Sequence, residues 1–308
     1  MRNVVTGSSG FIGGHLVRAL LDLGESVIAV DKRYSDELEE WGALHPGDLE
    51  IICDDLSDKG SWKGIVDGAD RIFHLAAETD LGKSVRSPAA SLSDDLLTTV
   101  NLLDACVKAG TSPRIVIASS AAIYGDLVSN PVSEDDSKEA IGLSPYAIHK
   151  RSCEMYADMY RVVHGLSVVC LRYFNVYGPG QENLQAVVPA FTLGILRGNA
   201  AVIRGDGLQS RDFIHVRDVV DATISMGDTK YVGQFNVGCG RSYTLLELIL
   251  ILEELSGERF EVNYQPASNW DIKHSCADIS HLRRTGWVPK LGLKAGMVDT
   301  LAYYQGLI

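Results

Sequence analysis

The sequence has few cysteines, and none of them is placed to build a metal or redox site. No two of the six are separated by only two residues, as they are in the Cys-x-x-Cys motif of zinc and thiol-redox sites. The eight histidines share no regular spacing with cysteines or carboxylates. We therefore expect no bound metal, and we expect reduced thiols of the kind found in cytoplasmic proteins. The cysteines are Cys53, Cys106, Cys153, Cys170, Cys239 and Cys276.

Basic residues and long apolar runs are also scarce. The chain has 28 Lys and Arg against 40 Asp and Glu, a formal net charge of −12. This charge repels both the phosphate backbone of nucleic acids and an anionic membrane surface. The apolar runs are too short for a transmembrane helix, and the one at the N-terminus is too short for a signal peptide. We expect a cytoplasmic protein with neither nucleic acid nor membrane as a partner.

Proline is rare as well, with nine in 308 residues that are 46% hydrophobic, which excludes collagenous and disordered classes. In the first 172 residues, short apolar runs alternate with longer segments of helical period. Strands that are apolar throughout, between helices, are typical of a doubly wound parallel sheet, the Rossmann type of α/β fold. The strands are predicted at 4–6, 26–30, 51–53, 71–75, 114–119 and 167–172, and the helices at 13–23, 92–109 and 146–163.

The pattern changes after Arg172 to longer loops rich in Gly, Asn and Pro. This part is too irregular to continue the sheet. We expect a Rossmann domain over residues 1–171, to which the chain returns around 212–238. We expect a smaller α/β lobe for the substrate over residues 172–308, at the sheet edge where open α/β folds bind ligands.

A glycine-rich turn, TGSSGFIG at residues 6–13, lies between the first strand and the first helix. Glycines allow a tight turn and the close approach of a pyrophosphate, and the helix N-terminus offers free N–H groups. Asp31 follows the second strand near the spacing of a carboxylate that binds the adenosine ribose. An acid there favours NAD over NADP, although Lys32 and Arg33 weaken the preference. The predicted contacts are Gly7, Gly10, Phe11, Ile12, Gly13 and Asp31.

Tyr146 and Lys150 are predicted to lie one turn apart on a helix, because Ser144 and Pro145 are typical of a helix start. An ammonium group stabilises a neighbouring phenolate, so Tyr146 could act as a base. This spacing also arises by chance. Ser120, at the carboxyl end of a predicted strand, makes the chemical interpretation stronger, because such a hydroxyl faces the ligand crevice.

Together these motifs resemble those of the extended short-chain dehydrogenase/reductase family, in particular its nucleotide-sugar epimerases and dehydratases. The resemblance runs from Thr6 to about Ser280. DDL at residues 54–56 resembles the family's acidic adenine-site pair, and HLAA at 74–77 resembles its fourth-strand motif. RYFNVYGP at 172–179 and GDGLQSRDFIHV at 205–216 resemble its sugar-nucleotide and diphosphate segments.

The resemblance implies a catalytic set of Ser120, Tyr146 and Lys150, with NAD as cofactor and a UDP-sugar as substrate. The further cofactor contacts that it implies are Asp54, Asp55, Leu56, Leu75, Ala76, Ala77, Tyr146, Lys150 and Tyr173. The substrate contacts that it implies are Thr79, Ser84, Ser120, Asn175, Ala186, Val187, Arg211 and Ser275.

The reaction implied by the resemblance is 4-epimerisation of a UDP-hexose. Tyr146, as phenolate, takes the proton of the sugar 4-hydroxyl while hydride leaves C4, and Ser120 hydrogen-bonds the reacting oxygen. The 4-keto sugar then turns over and takes hydride back on its other face. We expect His74 to be a hydrogen-bonded core residue rather than an acid.

Other branches of the family stay open at this point. The 4,6-dehydratases carry acidic residues after the fifth strand, where this chain has Ser120, Ala121 and Ala122. Uronate epimerases and decarboxylases need a cation near the sugar carboxylate, and residues 180–186 include none. UDP-glucose and UDP-galactose are therefore favoured. The alternatives are a dehydratase, a keto-sugar reductase or, less favoured, a non-catalytic NAD-binding protein.

Two positions depart from the usual pattern of this family, and a third lies at a gate whose size varies within it. Ser268 stands where a second diphosphate-binding arginine is usual, so Lys273 or Arg204 would have to replace it. Asp95 stands where asparagine is usual. Ser275 stands at a gate that is small in epimerases accepting N-acetylhexosamines, which predicts that UDP-N-acetylglucosamine and UDP-N-acetylgalactosamine also enter.

The predicted helices 92–109 and 146–163 carry extra apolar positions, including Leu96, Leu103, Met155 and Met159. Burial against the sheet is a sufficient explanation for them. The resembled family, however, forms homodimers through this pair of helices. The resemblance therefore implies a homodimer.

Overall fold

A seven-stranded sheet is the main element of the structure, a computed structural model that describes residues 1–127, 130–184, 186–267 and 272–308. Its strands are β1 (Arg2–Thr6), β2 (Ser26–Asp31), β3 (Leu49–Cys53), β4 (Arg71–His74), β5 (Arg114–Ser120), β6 (Ser167–Tyr173) and, further along the chain, β11 (Gly233–Val237). They lie in the order β11-β6-β5-β4-β1-β2-β3, and β1 pairs in parallel with both β2 and β4. This is the strand order of doubly wound folds, whose ligands lie at the carboxyl ends of the strands. The predicted Rossmann-type α/β fold is confirmed.

The strands of this sheet are apolar because side chains on both faces are covered. Val4 on β1 lies opposite Ile28 on β2 and Ile72 on β4. All three are buried and belong to one core cluster. Burial of an aliphatic side chain of this size contributes roughly 1.5–3 kcal/mol. Leu103 is also fully buried in this cluster, which agrees with burial against the sheet as the explanation of this apolar position.

The longer helices predicted from the sequence are present, but one of them is interrupted. The predicted helices 13–23 and 146–163 correspond to α1 (Phe11–Asp22) and α6 (Pro145–His164). The predicted helix 92–109 begins earlier, at α4 (Pro88–Leu92), and passes through a π-helical turn (Ser93–Leu97) into α5 (Thr98–Ala109). The other helical elements of the first 145 residues are α2 (Asp36–Leu44), α3 (Leu81–Arg86) and the 3₁₀ turns Lys59–Trp62, Ala121–Tyr124 and Glu134–Lys138.

The chain divides into two compact units. Unit 1 contains Met1–Ile123, Gly142–Arg172 and Val220–Phe235, and unit 2 contains Tyr124–Ile141, Tyr173–Val219 and Asn236–Ile308. This division differs from a cut at residue 171 because the segment Tyr124–Ile141 joins unit 2. Within unit 2, the Val132 N–H donates to the Cys276 carbonyl (2.9 Å), and the Val132 carbonyl accepts the Asp278 N–H (2.8 Å).

Unit 2 is built from short paired strands and helices. β10 (Phe213–His215) pairs in parallel with β7 (Asn175–Tyr177), and β13 (Val262–Gln265) pairs in parallel with β8 (Ala201–Arg204). β12 (Tyr243–Thr244) pairs antiparallel with β9 (Ser210–Arg211). Its core includes Leu248 and Leu252 on one helix and Met297 and Leu301 on another, each pair four residues apart on one helix face. The elements after β6 are β7 (Asn175–Tyr177), α7 (Val187–Leu196), β8 (Ala201–Arg204), β9 (Ser210–Arg211), β10 (Phe213–His215), α8 (Val216–Gly227), β12 (Tyr243–Thr244), α9 (Leu245–Ser256), β13 (Val262–Gln265), α10 (Ser280–Arg283) and α11 (Leu293–Gln305), of which the end of α8 belongs to unit 1.

Two further expectations from the sequence concern membrane-spanning helices and the state of the cysteines. Among the helices of the described residues, none is both long and apolar enough to cross a membrane. All six cysteines are free thiols; Cys53 is exposed, Cys239 is partly buried and the others are buried.

Candidate functional site

The loop between β1 and α1 has no room for a side chain at two of its glycines. Gly7 has a φ of +69°, and a Cβ there would lie 2.7 Å from the backbone nitrogen of Ala76. A Cβ at Gly13 would lie 2.0 Å from the carbonyl oxygen of Gly7. Within the described ranges, no side chain caps α1 at Gly10, so the first-turn N–H groups can receive an anion. The loop and the first helical turn contain the predicted contacts Gly7, Gly10, Phe11, Ile12 and Gly13.

Asp31 is the last residue of β2, and its carboxylate is held beside the glycine loop. Oδ2 accepts the Ser9 N–H at 3.0 Å, and Oδ1 accepts the Arg33 N–H at 3.0 Å. Lys32 forms an ion pair with Asp94 at 2.7 Å. Because that pair compensates the lysine charge, Asp31 gives the end of β2 a negative character, which suits a ribose with free hydroxyls.

The predicted adenine-site residues follow β3. The Asp54 N–H donates to the Asp31 carbonyl at 3.0 Å. Asp55 accepts the Ser57 N–H at 2.9 Å, and hydrogen bonds from Ser57 hold the pKa of the Asp55 carboxyl below its usual range. The Leu56 side chain is buried in the core of unit 1. Asp55 is therefore an ionised surface group, and one of its oxygens is already bonded.

The segment after β4 stays close to β1. The Leu75 N–H donates to the Thr6 carbonyl, and the Ala76 N–H donates to Thr6 Oγ1, each at 3.2 Å. Ala77 follows and is partly buried, and Thr79 is exposed. Ser84, on α3, is fully buried and donates its hydroxyl to the Leu81 carbonyl at 2.8 Å. In this structure the hydroxyl of Ser84 is therefore used within its own helix.

His74 lies in a buried chain of hydrogen bonds. Its Nδ1 lies 2.8 Å from Thr6 Oγ1, and its Nε2 lies 3.1 Å from Thr99 Oγ1. The Thr99 hydroxyl donates its proton to the Asp95 carbonyl at 2.9 Å, so the imidazole carries its proton on Nε2. Burial, and then the charge of Lys150, lower the pKa of His74 to about 3. His74 is therefore a neutral structural link at physiological pH.

The helix that carries Tyr146 and Lys150 starts where the sequence predicted it. The Ser144 hydroxyl accepts the Ala147 N–H at 3.2 Å, and Pro145 takes the first helical position. Tyr146 and Lys150 thus lie one turn apart at the N-terminal end of α6. Both side chains are buried.

Ser120, Tyr146 and Lys150 come together within unit 1. The Lys150 ammonium donates to the Ala118 carbonyl of β5 at 2.8 Å and lies 5.9 Å from the centre of the Tyr146 ring. Ser120, at the end of β5, is hydrogen-bonded to Tyr146. A phenol is thus held between a buried cation and a hydroxyl at the carboxyl end of a central strand.

The ionisation of Tyr146 and Lys150 is coupled. Burial raises the pKa of Tyr146, and the charge of Lys150 and the hydrogen bond from Ser120 oppose this effect. Burial by itself would lower the pKa of Lys150, but the negative charges of Tyr146 and Asp95 outweigh burial and raise it. Lys150 is therefore held in its ammonium form beside the phenol of Tyr146.

A polar cluster around Asp95 packs on the face of α6 that carries Tyr146 and Lys150. This cluster was not predicted from the sequence. Asp95 is fully buried, and its Oδ1 accepts the Glu78 N–H at 2.8 Å. Its Oδ2 accepts the Ser91 hydroxyl at 2.9 Å and lies 3.4 Å from His149 Nδ1. The available signals were the replacement of asparagine at position 95 and a histidine directly before Lys150.

A second unpredicted group is the buried ion pair of Glu154 and Arg172. Glu154 Oε1 accepts the Arg172 Nε at 2.8 Å and the Ser119 hydroxyl at 2.7 Å. Its Oε2 accepts the Arg172 Nη2 at 2.8 Å and the Arg151 Nη1 at 3.0 Å. The hydrogen bonds of Glu154 thus connect α6 with Arg172 on β6 and with Ser119, the residue before Ser120. An acid four residues after Lys150 was the only sequence signal.

In unit 2, several of the predicted substrate residues meet around Ser210. The Ser210 carbonyl accepts the Arg211 Nη1 at 2.9 Å and the Ser275 N–H at 3.0 Å. The Lys273 carbonyl accepts the Ser210 N–H at 2.9 Å. Asn175 begins β7 and lies opposite Phe213 of β10. Arg211, Lys273 and Ser275 are therefore close in space although they are far apart in sequence.

The remaining predicted residues lie at the ends of elements. Ala186 is the N-cap of α7 and Val187 is its first residue, and Tyr173 is the buried last residue of β6. Arg204 ends β8. Ser268 lies outside the described residues.

The strand order, the glycine loop at the first crossover and the cluster of Ser120, Tyr146 and Lys150 define a dinucleotide-binding α/β enzyme. Residues 3–238 match the NAD dependent epimerase/dehydratase family. The chain belongs to this NAD-dependent family, and the resemblance described from the motifs is confirmed.

Several of the similar proteins have names that refer to UDP-sugars. The UDP-glucose 4-epimerase of Mycolicibacterium smegmatis is 32% identical over 99% of this chain and 99% of its own length. UDP-glucuronic acid decarboxylase 1 of Arabidopsis thaliana is 29% identical over 100% of this chain and 71% of its own length. Among solved structures, the UDP-N-acetylglucosamine 4-epimerase from Methanobrevibacter ruminantium M1, in complex with UDP-N-acetylmuramic acid, is 34% identical. The structural alignment covers 100% of this chain and 99% of the solved chain, and its TM-score is 0.92.

Proposed function

We propose that this chain catalyses the NAD-dependent 4-epimerisation of a UDP-hexose, interconverting UDP-glucose and UDP-galactose through a transient 4-keto sugar. The observation that carries the proposal is the position of the Tyr146 phenol between the Lys150 ammonium and the Ser120 hydroxyl. A phenol in this environment can exchange a proton with a sugar hydroxyl. The family supplies the NAD dependence that a 4-keto intermediate requires.

The residues of unit 1 fit NAD. A Cβ at Gly7 or at Gly13 would collide with the backbone of Ala76 or of Gly7, so glycine is needed for the tight loop that a pyrophosphate would approach. Asp31 would bind the adenosine ribose, and Asp54, Asp55 and Leu56 would surround the adenine. When bound, NAD accepts hydride from C4 of the sugar and returns it. The residues that would line the nicotinamide side are Leu75, Ala76, Ala77, Tyr146 and Lys150.

The catalytic residues have separate roles in this proposal. Tyr146 takes the proton of the sugar 4-hydroxyl and returns it at the end of the cycle. Ser120 hydrogen-bonds the reacting oxygen, which is most useful while that oxygen is a developing ketone. Lys150 keeps the phenolate accessible and orients the nicotinamide ribose. Because the hydride returns, each turnover leaves the oxidation state of the site unchanged.

Unit 2 would hold the nucleotide end of the substrate. Arg211 carries a guanidinium, which matches paired phosphate oxygens. Its Nη1 lies 3.5 Å from the Lys273 carbonyl, and we propose Lys273 as the replacement for the second arginine. Asn175, Ala186 and Val187 would contact the sugar-diphosphate and the uracil. A neutral hexose is favoured because residues 180–186 contain no Lys or Arg to pair with a sugar carboxylate.

The small side chain of Ser275 supports entry of acetamido sugars as well. A structurally similar protein is a UDP-N-acetylglucosamine 4-epimerase, which agrees with this extension. Replacement of Ser275 by tyrosine should abolish turnover of UDP-N-acetylglucosamine and spare that of UDP-glucose. Equal loss of both activities would contradict the role of Ser275 as a gate.

Proton NMR of the purified protein tests the proposal. UDP-glucose, UDP-galactose, their N-acetylated analogues and UDP-glucuronic acid are incubated separately, and the anomeric signals are followed. We expect interconversion of the 4-epimers without added NADH. A 4-keto-6-deoxy product would indicate a dehydratase, oxidation of added NADH a reductase, and loss of the carboxylate a decarboxylase. No conversion of any sugar would contradict the proposal.

Tyr146→Phe is the variant that tests the proton transfer. It should retain bound NAD and lose at least about 10²-fold in rate, the lower range of a general base. Near-normal turnover of this variant would contradict the assignment of Tyr146 as the base.

We also infer a homodimer formed through α6. Met155 and Met159 are exposed apolar residues one turn apart on this helix, and Ile148 and Val162 continue the same stripe. An apolar stripe at helical spacing is suited to burial against another helix. This inference agrees with the dimers of the resembled family.

A further inference from the structure

Asp95 is a fully buried carboxylate that lies 3.4 Å from His149, the residue directly before Lys150. We propose that Asp95 is a positioning residue for Tyr146 and Lys150: its buried carboxylate holds the segment after β4 against α6 and supplies a fixed negative charge near Lys150. The inference rests on the proposed function, in which Tyr146 is the base and Lys150 its cation.

The first support is the local geometry of the helix that carries Asp95. It lies in the π-helical turn Ser93–Leu97 between α4 and α5. Its carbonyl accepts three side-chain donors, from Thr98 at 3.1 Å, Thr99 at 2.9 Å and the Cys153 thiol at 3.5 Å. A π turn of this kind inserts one residue into the helix, and such turns are frequent at functional sites. Asp95 is thus held at both its backbone and its side chain.

The second support is the face of α6 that packs on this turn. Tyr146, His149, Lys150 and Cys153 have the spacing i, i+3, i+4, i+7, which places them on one helix face. His149 Nδ1 lies 3.4 Å from the Asp95 carboxylate, and the Cys153 thiol donates to the Asp95 carbonyl. Lys150 lies between these two contacts along the helix. Asp95 therefore packs on the turn of α6 that carries the lysine.

The third support is the bond from Asp95 to the segment after β4. Its Oδ1 accepts the Glu78 N–H, and its Oδ2 accepts the Ser91 hydroxyl. Glu78 is followed by Thr79, a predicted substrate contact. One carboxylate thus connects a predicted sugar-binding segment to the helix of the proposed base.

Among the described residues, the other titratable groups facing the pair carry no uncompensated negative charge near neutral pH. His74 on β4 is neutral because its pKa is about 3. Burial raises the pKa of the Cys153 thiol on α6 and of the Cys170 thiol on β6, so both stay protonated. Glu154, further along α6, is paired with Arg172.

This leaves Asp95 as the carboxylate that acts on the pair. Its charge raises the pKa of both Tyr146 and Lys150. Asp95 stabilises the ammonium and, by the same charge, makes the phenolate harder to form. Its removal should therefore move both ionisations to lower pH.

Asp95→Asn removes the negative charge of the side chain and keeps its shape. The amide oxygen still accepts the Glu78 N–H, and the amide nitrogen can donate to Ser91 Oγ. Both limbs of the pH profile of kcat for epimerisation should move to lower pH. On the ascending limb, at fixed pH, the rate should rise about tenfold or more, because two unit charges about 12 Å apart interact by about 1.4 kcal/mol at an effective dielectric constant of about 20, and closer charges by more.

The matched control is Asp104→Asn, which removes the same charge from an exposed pair with Lys108 on α5. It should leave the pH profile unchanged. An unchanged profile in Asp95→Asn, or the same displacement in both variants, would overturn the inference. If Asp95→Asn does not fold by circular dichroism, Asp95→Ser removes the same charge and should show the same direction of change.

A second readout does not depend on epimerase activity. Ultraviolet titration of the NAD-loaded protein without sugar, minus that of Tyr146→Phe, isolates the ionisation of Tyr146. The same difference measured in the Asp95→Asn background should lie at lower pH. An unchanged position refutes the role of Asp95, whereas inactivity of the wild type towards every UDP-sugar would refute the proposed function instead.

Discussion

Replacement of Glu154 by glutamine tests the buried ion pair next to the proposed catalytic residues. Glu154 and Arg172 are each 1% exposed, and two hydrogen bonds of 2.8 Å connect them. The glutamine side chain has almost the same shape but no charge. The variant therefore removes the charge of Glu154 from beside the buried guanidinium of Arg172.

The expected loss of stability is large because both side chains of the pair are buried. Loss of one partner of a buried ion pair typically lowers the free energy of unfolding by about 3–5 kcal/mol. The exposed pair of Asp104 and Lys108 is the control, since Asp104→Asn should cost at most about 0.5 kcal/mol. Urea unfolding followed by tryptophan fluorescence measures both variants, because Trp62 is buried in the core of unit 1.

A double variant makes the test sharper. Glu154→Gln combined with Arg172→Met removes both charges, so it should recover much of the stability lost in the single variant. A loss below about 1 kcal/mol in Glu154→Gln, or no recovery in the double variant, would refute this reasoning. Because Glu154 also accepts the Ser119 hydroxyl, we expect the single variant to lower kcat through the neighbouring Ser120.

Three further predictions concern pH, assembly and the cofactor. The unfolded chain protonates His74 near pH 6.5 but the folded chain only near pH 3, so this residue should lower the free energy of unfolding by about 1.4 kcal/mol per pH unit as the pH falls through that window. His74→Asn should remove that contribution, which urea titrations at several pH values would measure. The same pH dependence of stability in the variant and in the wild type would contradict the prediction. Replacing Met155 and Met159 together by glutamate should convert the dimer to a monomer in size-exclusion chromatography with light scattering; a wild type that is already monomeric would contradict the inference. Asp31→Ala should raise the Kd for NAD about tenfold or more, the effect of losing a charge-assisted hydrogen bond, and calorimetry that finds an unchanged Kd would exclude Asp31 from the site.

The central sheet could be predicted because its strands are apolar on both faces. Val4 and Val5 on β1, and Ile72 and Phe73 on β4, are completely buried, and no solvated strand would carry such runs. Helix α2 could not be distinguished from a solvated loop by its charge alone. Its start is nevertheless marked, because the Ser35 hydroxyl accepts the Leu38 N–H at 3.4 Å and acidic residues follow in the first turn.

The partners of the buried charges could not be predicted. Rules of helical spacing relate neighbours on one helix, as they do for Tyr146 and Lys150. Asp95 meets His149, and Glu154 meets Arg172, across different elements, so only the folded chain brings them together. The π turn adds a further difficulty, because the one residue it inserts changes which side chains of the helix share a face.

The return of the chain over Val220–Phe235 has a consequence for biosynthesis. Within unit 1, Arg114 on β5 donates Nε and Nη2 to the Met226 carbonyl (3.2 and 3.0 Å), and Gln234 donates to Asp158 at 2.9 Å. In the finished sheet, β6 has β11 as its outer neighbour. A ribosome must therefore translate Tyr124–Ile141 and Tyr173–Val219 of unit 2 before unit 1 can close. A gene truncated after residue 171 would encode a sheet with an open edge, prone to aggregation.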